Sequence, residues 1–240
     1  MTSPNIALID PLWIGHHPMY FGEFGASFLR QGARVTGFCP HPEKGHQEII
    51  QAFGQSSSDV RCHGLQTGDR SVLRGRFEGD PWNTYRRWQF AGDAVHGAEQ
   101  ESGEAFDLIY FPYLDYYLRF LPFPRIPDST IGRPWAGLYL RNDHYRNNKC
   151  LLQTLRVLAK GDHLLSSPSC MGVGVLDERY AEALEAEIGH EVTAFPDVTL
   201  TELPGQPSAL AEEVVRKARG RKIIGLIGLE RRKGALTMLR

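Results

Sequence analysis

A glycine followed by two histidines at the start of a helix can bind an anion or move a proton, and Gly15-His16-His17 supplies that combination. Backbone N–H groups beside a glycine, together with the partial positive charge of a helix N-terminus, suit a phosphate. The imidazoles can add hydrogen bonds to a sugar hydroxyl or transfer a proton near neutral pH. A sugar-nucleotide or phosphate site is the leading reading of this turn. The structural alternative is that Gly15 shapes the turn and His17 satisfies the helix start. The stretch is not a GxGxxG fingerprint, so the residues leave both readings open.

Other groups of residues carry chemistry at comparable places. Arg141-Asn142-Asp143-His144-Tyr145-Arg146 follows an apolar run; Arg141 or Arg146 can hold a phosphate or carboxylate, and Asp143 with His144 can form an acid–base pair. A solvated Asn-Asp turn is the plainer account of that loop. Ser166-Ser167-Pro168-Ser169-Cys170 contains possible nucleophiles but no GxSxG elbow. Arg231, Arg232 and Lys233, between Gly228 and Gly234, offer the charge a diphosphate needs, although a solvated basic turn would look the same. The remaining histidines show no HExxH or comparable spacing, so no metal site is expected. The aromatic run Tyr110–Phe123 can line an acceptor cleft, but such a run more often belongs to the core.

The elements that would position these groups read as alternating strands and helices. Ile6–Ile9 is an apolar run without charge on either face, the mark of a strand covered on both sides. Pro18 suits the first turn of a helix, and Phe21, Phe24, Gly25, Phe28 and Leu29 form one stripe along it. Gly32 stands where a left-handed cap belongs, and Arg34–Phe38 begins the next strand. A polar loop through Gly45, a helix over 46–53 and a strand over 60–65 follow, then a polar surface loop over 66–79. Asp80 and Pro81 open a helix to about Gly97; Phe106–Pro112 and Trp135–Arg141 are strands, and Tyr113–Phe120 can form a short helix. Leu151, Leu152, Leu155 and Leu158 mark a helix, 162–166 a short strand and 167–174 a turn of small residues. Asp177 and Gly189 bracket another helix, and Glu191–Phe195 is a strand. Ser208 caps a helix over 209–218, and Lys222–Gly228 is a buried strand before a helix that begins at Ala235. This alternation predicts an α/β fold: a Rossmann-like parallel sheet with helices on both faces.

Composition narrows the function classes. The 240 residues are 42% hydrophobic and 23% charged, ordinary for a globular chain with a sizeable core. A net charge of −1 gives no nucleic-acid footprint and no polybasic membrane patch. Cys39, Cys62, Cys150 and Cys170 form no CxxC pair, which fits reduced cytosolic thiols. No signal peptide is evident at the N-terminus, and no run approaches the roughly 20 apolar residues of a membrane span. A cytoplasmic protein is expected, with peripheral membrane association left open.

Taken in order, these segments resemble the glycosyltransferases built from two Rossmann-like domains, the GT-B group, and within it the large retaining family 4. The resemblance rests on the opening strand, glycine turn and helix, on Gly32-Ala33-Arg34-Val35-Thr36, on Asp107–Tyr110, on Val175–Asp177 through Phe195–Asp197, and on Ile223–Gly228 with Arg231–Gly234. It implies an acceptor-side domain over 1–200, a linker and helix over 201–221, and the first strand, turn and helix of a truncated donor-side domain over 222–240. It also implies transfer of a sugar from a nucleotide diphosphate sugar to an acceptor hydroxyl. That co-substrate is then the donor partner and no further cofactor is needed; the acceptor is a small molecule, glycan or lipid. By the same resemblance Gly15 approaches the donor phosphate, Arg231 or Arg232 with Lys233 meets the diphosphate, and His16, His17, Arg141 and His144 are the catalytic candidates. Two departures stand out: Leu229, not arginine, follows Gly228, and Arg141 occupies the strand end where the family tends to carry histidine. The family's paired-glutamate motif would lie beyond Arg240, so the chain is expected to be a fragment that does not turn over a sugar nucleotide alone. The alternatives are another GT-B enzyme, such as a nucleotide-sugar 2-epimerase, or a non-catalytic Rossmann-like binding module.

Overall fold

The apolar run near the N-terminus becomes strand β1 (Asn5–Ile9), buried at every position. It is flanked on one side by β2 (Arg34–Cys39) and on the other by β4 (Leu108–Phe111), both parallel to it. The computed structural model describes residues 3–65, 81–118, 125–140, 164–165, 167–195, 206 and 209–219. With β3 (Val60–Gly64), β5 (Trp135–Tyr139), β6 (Cys170–Val175) and β7 (Val192–Ala194), the strands form one parallel sheet in the order β3-β2-β1-β4-β5-β6-β7.

Helices cover both faces, as a parallel sheet requires. On one face α1 (His17–Arg30) and α2 (Pro42–Phe53) bury Tyr20, Phe21, Phe24, Leu29 and Ile49 against Leu8, Val35 and Leu138. On the other, α3 (Pro81–Ser102) packs Trp88, Ala91 and Val95 over Ala7, Ile9, Phe111 and Trp135. Two short helices, α4 (Asp115–Leu118) and α5 (Ile126–Thr130), follow β4, and α6 (Glu178–Ile188) adds Tyr180, Leu184 and Ile188 to the same core.

The local signals act as their chemistry dictates. α1 ends in a Schellman motif: Gly32 N–H donates to Leu29 O at 2.9 Å and Ala33 N–H to Phe28 O at 3.0 Å, with Gly32 at φ +78°. Asp177 caps α6 by accepting from Tyr180 N at 3.1 Å, and Gly189 closes it at φ +71°.

Elsewhere the structure corrects the sequence reading. α2 begins at Pro42 rather than 46, because Pro42 occupies its first turn and buried Gly45 sits against the Cys39 sulfur, 2.6 Å from where a Cβ would stand. α3 runs on to Ser102, past Gly97. The small residues after 169 are not a turn but β6, in which Met171 is an extra bulged residue between the Trp135–Cys170 and Ala136–Gly172 pairs. Leu164 and Leu165 form a buried 3₁₀ turn rather than a strand.

The chain divides into two compact units, Met1–Val198 and Thr199–Arg240. In the second, the described residues include α7 (Ala209–Ala218), where Lys217 pairs with Glu213 at 2.8 Å. The expected loop over 66–79, the helix over 151–158 and the strand at 222–228 lie outside the described residues. Among the described residues no helix is long and apolar enough to cross a membrane.

Close packing of α3 on α5 gives a first prediction. A Cβ on Gly92 would collide with the carbonyl of Thr130. Gly92→Ala would gain up to about 1 kcal/mol of helix propensity but force backbone apart, which costs about 1–3 kcal/mol. A lower urea midpoint at unchanged m-value is expected. A rise in midpoint would show that the two helices separate freely.

Candidate active site

The strand order changes direction between β1 and β4, since β2 and β3 lie on one side of β1 and β4 to β7 on the other. In open α/β sheets the crevice at the carboxyl ends of two such strands is where ligands bind. The residues leaving β1 and β4 there are Asp10 and Tyr113–Asp115.

Asp10 extends the β1 ladder by one bond, its N–H donating to Phe38 O at 3.0 Å. Its carboxylate turns back to meet the start of α1. Both oxygens lie 2.8 Å from His17 Nδ1, and Oδ1 also accepts from Leu12 N at 3.0 Å. Asp10 is fully buried and His17 is 3% exposed. Burial pushes the Asp10 carboxyl above the usual carboxylate range, against the pull of the His17 ring and the Leu12 N–H. With Asp10 ionised the imidazole donates from Nδ1, which leaves Nε2 as the ring's acceptor. A carboxylate that fixes the tautomer of an imidazole and stabilises its protonated form makes the imidazole a directed base.

Backbone geometry delivers His17 to that position. Gly15 takes φ +58° in a turn closed by His17 N–H donating to Ile14 O at 3.2 Å. With His16 at φ −87°, these are the φ values of a type II′ turn, which favours glycine first. His16 is exposed at the N-cap, makes no side-chain cap bond, and lends its carbonyl to Tyr20 N at 3.1 Å. The two histidines therefore differ: one faces solvent and the other is locked to a carboxylate.

The segment after β4 closes over the pair. Tyr113 stacks on His17 with ring centroids 3.9 Å apart and planes at 22°; Tyr116 is tilted beside it at 5.6 Å. Arg87 of α3, itself buried, donates to Tyr116 O at 2.9 Å and lies 5.5 Å from the centre of the Tyr116 ring. Asp115 accepts from Leu140 N at 3.0 Å and ties this segment to the end of β5. The aromatic run was read as core, and Phe111, Leu114, Tyr117 and Leu118 are core; Tyr113 and Tyr116 also face the histidine.

Of the sequence candidates, the structure describes Gly15, His16 and His17. Arg141, His144, Arg231, Arg232 and Lys233 lie outside the described residues. Asp10 was missed as a partner, although its place directly after a buried strand and shortly before His17 was a usable signal. The Ser/Cys cluster is structural: Ser167 and Ser169 both donate to Asp128, Trp135 Nε1 donates to Ser169 Oγ at 3.0 Å, and burial pushes the Cys170 thiol up to about 11. Among the described residues no group of three or more side chains could hold a metal. A cleft of about 590 Å³ lies elsewhere, among Asn5, Arg34, Asp59, Arg61 and Glu104 at the amino ends of the strands. Its mixed charges converge on no single chemistry, and it lies at the opposite end of the strands from the switch-point crevice.

No family model matches the chain, and no curated protein matches its sequence. Solved structures do match. One is Arabidopsis thaliana UGT89C1 complexed with quercetin, at 14% identity over 90% of this chain and 55% of that one, TM-score 0.57. Another is Phytolacca americana UGT2 complexed with UDP-2-fluoro-glucose and pterostilbene, at 13% identity over 89% and 57%, TM-score 0.54. A third is a UDP-glucosyltransferase from Polygonum tinctorium, at 9% identity over 88% and 56%, TM-score 0.53. The chain thus spans little more than half the length of these structures. At such identities the likeness establishes architecture: the chain has the α/β, Rossmann-like parallel-sheet fold found in GT-B glycosyltransferases.

Proposed function

We propose that this chain is the acceptor-side part of a glycosyltransferase that moves a sugar from a nucleotide diphosphate sugar to a hydroxyl of a small-molecule acceptor. The observation that carries the reading is the buried Asp10–His17 pair at the switch point of the sheet. Two of the structural neighbours were solved with a UDP-sugar analogue or with polyphenols such as quercetin and pterostilbene, which supports that donor and acceptor class.

In this reaction His17 takes the proton from the acceptor hydroxyl as its oxygen attacks the anomeric carbon. The new C–O bond forms as the bond to the diphosphate breaks, and the nucleoside diphosphate leaves with the electron pair. Asp10 keeps its proton count and stabilises the imidazolium. Such a base fits a single displacement that inverts the anomeric carbon, unlike the retaining outcome implied by the family 4 resemblance. Gly15, and on sequence grounds Arg231, Arg232 and Lys233, are proposed for the donor phosphates; neutralising the departing charge would supply much of the rate. His16 and, on sequence grounds alone, Arg141 and His144 are the further catalytic candidates. No cofactor beyond the nucleotide sugar is required. The free thiols at Cys39, Cys62 and Cys170 fit a cytoplasmic setting.

The test is UDP release and product formation from UDP-glucose with a phenolic acceptor, using both the 240-residue chain and the longest polypeptide its gene encodes. Acceptor-dependent transfer with inversion is expected from the longer polypeptide if one exists, and none from the 240-residue chain. Release that ignores the acceptor, or a retained anomer, would overturn the proposed chemistry.

A further inference from the structure

We propose that Tyr113 is a positioning residue whose ring face stabilises the protonated form of His17, so that proton uptake by the base is favoured by an aromatic surface as well as by a carboxylate. The kinetic part rests on the sugar-transfer reading; the physical interaction does not.

The geometry is specific. A centroid separation of 3.9 Å at 22° places the imidazole flat on the phenol ring, and both side chains are buried, at 3% and 6% exposure. The face of an aromatic ring carries the negative part of its quadrupole and attracts a cation within about 6 Å of the centroid, most strongly when water is excluded. A neutral imidazole gains little from that field, so the interaction strengthens as the proton arrives. Such a differential interaction raises a rate rather than merely improving binding.

The groups facing His17 divide this work among them. Asp10, from the end of β1, holds Nδ1. Tyr116 stands 5.6 Å away, but its ring already serves the buried Arg87 guanidinium at 5.5 Å. Tyr117 lies near enough to Asp10 for that charge to help push its phenol upward, behind the larger effect of burial. Tyr20, on the same helix as His17, meets Tyr113 edge-on at 6.2 Å and props the ring in its stacked orientation. Tyr113 is thus the ring stacked flat on His17, at the shortest separation among the described residues.

The test compares the protonation midpoint of the His17 ring, followed by its imidazole proton resonances, in variants with ring faces of different electron density. Tyr113→Phe keeps a negative face and should leave the midpoint close to wild type. Pentafluorophenylalanine at position 113 keeps the shape and inverts the face, and should move the midpoint to lower pH by about tenfold in proton affinity relative to phenylalanine. Tyr113→Leu should move it in the same direction. Equal midpoints for the phenyl and pentafluorophenyl rings would overturn the proposal, and because those rings are isosteric the answer stands even if the leucine variant fails to fold. In an active polypeptide the acid limb of kcat/KM should follow the same order, with KM for the acceptor little changed. A midpoint that moves while the longest polypeptide the gene encodes, wild type included, transfers no sugar would sink the transferase reading and leave the ring interaction intact.

Discussion

If His17 is the base of the proposed transfer, His17→Ala in the longest polypeptide the gene encodes is expected to slow it by about two to four orders of magnitude, the contribution a positioned general base makes to a proton transfer. The chain should survive the change. His17 leaves behind a buried carboxylate, but burial already raises the Asp10 carboxyl, so it can take up a proton instead of remaining as a naked charge. Asp10→Asn provides the complementary result: the amide oxygen can still accept from Nδ1, yet the charge that stabilises the imidazolium is gone, and a loss of at least about 100-fold is expected. The two substitutions act on one unit, so the double variant should be little slower than His17→Ala alone. A rate for His17→Ala within a few-fold of wild type would remove His17 from the chemistry. The stability measurements have a sign of their own. Because the folded state binds the Asp10 proton more tightly than the unfolded chain, ionising this carboxyl costs stability as pH climbs above its ordinary value of about 3.8. Asp10→Asn should flatten that part of the pH–stability curve.

Trp88→Ala should cost about 3–5 kcal/mol, a large share of the roughly 5–15 kcal/mol that holds a typical domain together. Trp88 is fully buried in the middle of α3. Its ring meets Phe111, Tyr117 and Trp135 edge-on at 5.3, 5.1 and 5.4 Å, so its removal opens a cavity where helix, sheet and the segment after β4 converge. Its indole N–H also donates to Tyr117 O at 2.8 Å, and truncation would leave that buried carbonyl unpaired. Trp88→Phe restores much of the volume but not the donor, and should recover roughly half of the loss. Urea unfolding reads both. A loss below about 1 kcal/mol for the alanine variant would mean that the aromatic cluster collapses into the gap.

Much of this fold was legible because single residues declare their geometry. Pro18 and Gly32 bracket α1, Asp177 and Gly189 bracket α6, and the uncharged run Ile6–Ile9 could only be a covered strand. The failures have equally local causes. β6 is built from Cys-Met-Gly-Val-Gly-Val, whose two glycines mimic a turn; a Cβ on Gly174 would stand 3.0 Å from Leu138 Cδ1, whereas one on Gly172 would meet open space. α2 was read short because Gly45 resembles a loop residue when its neighbours are unknown. The site was half legible. Gly15 and His17 are neighbours in sequence and could be proposed together, whereas Tyr113 meets His17 only through the pairing of β1 with β4. Asp10 was overlooked because an Asp-Pro after a strand is also an ordinary way to end one.

That pairing bears on how the site is assembled in time. The Asp10–His17 contact closes a loop within one strand–helix unit, so it can form as soon as β1 and α1 dock. The aromatic lid cannot, because the chain first lays down β2 and β3 on one side of β1 and then crosses back to place β4 on the other. Closing so long a loop is slow, and it sets the folding rate of parallel sheets more than local propensity does. A nascent chain therefore carries its carboxylate–imidazole pair uncovered until the second half of the sheet arrives.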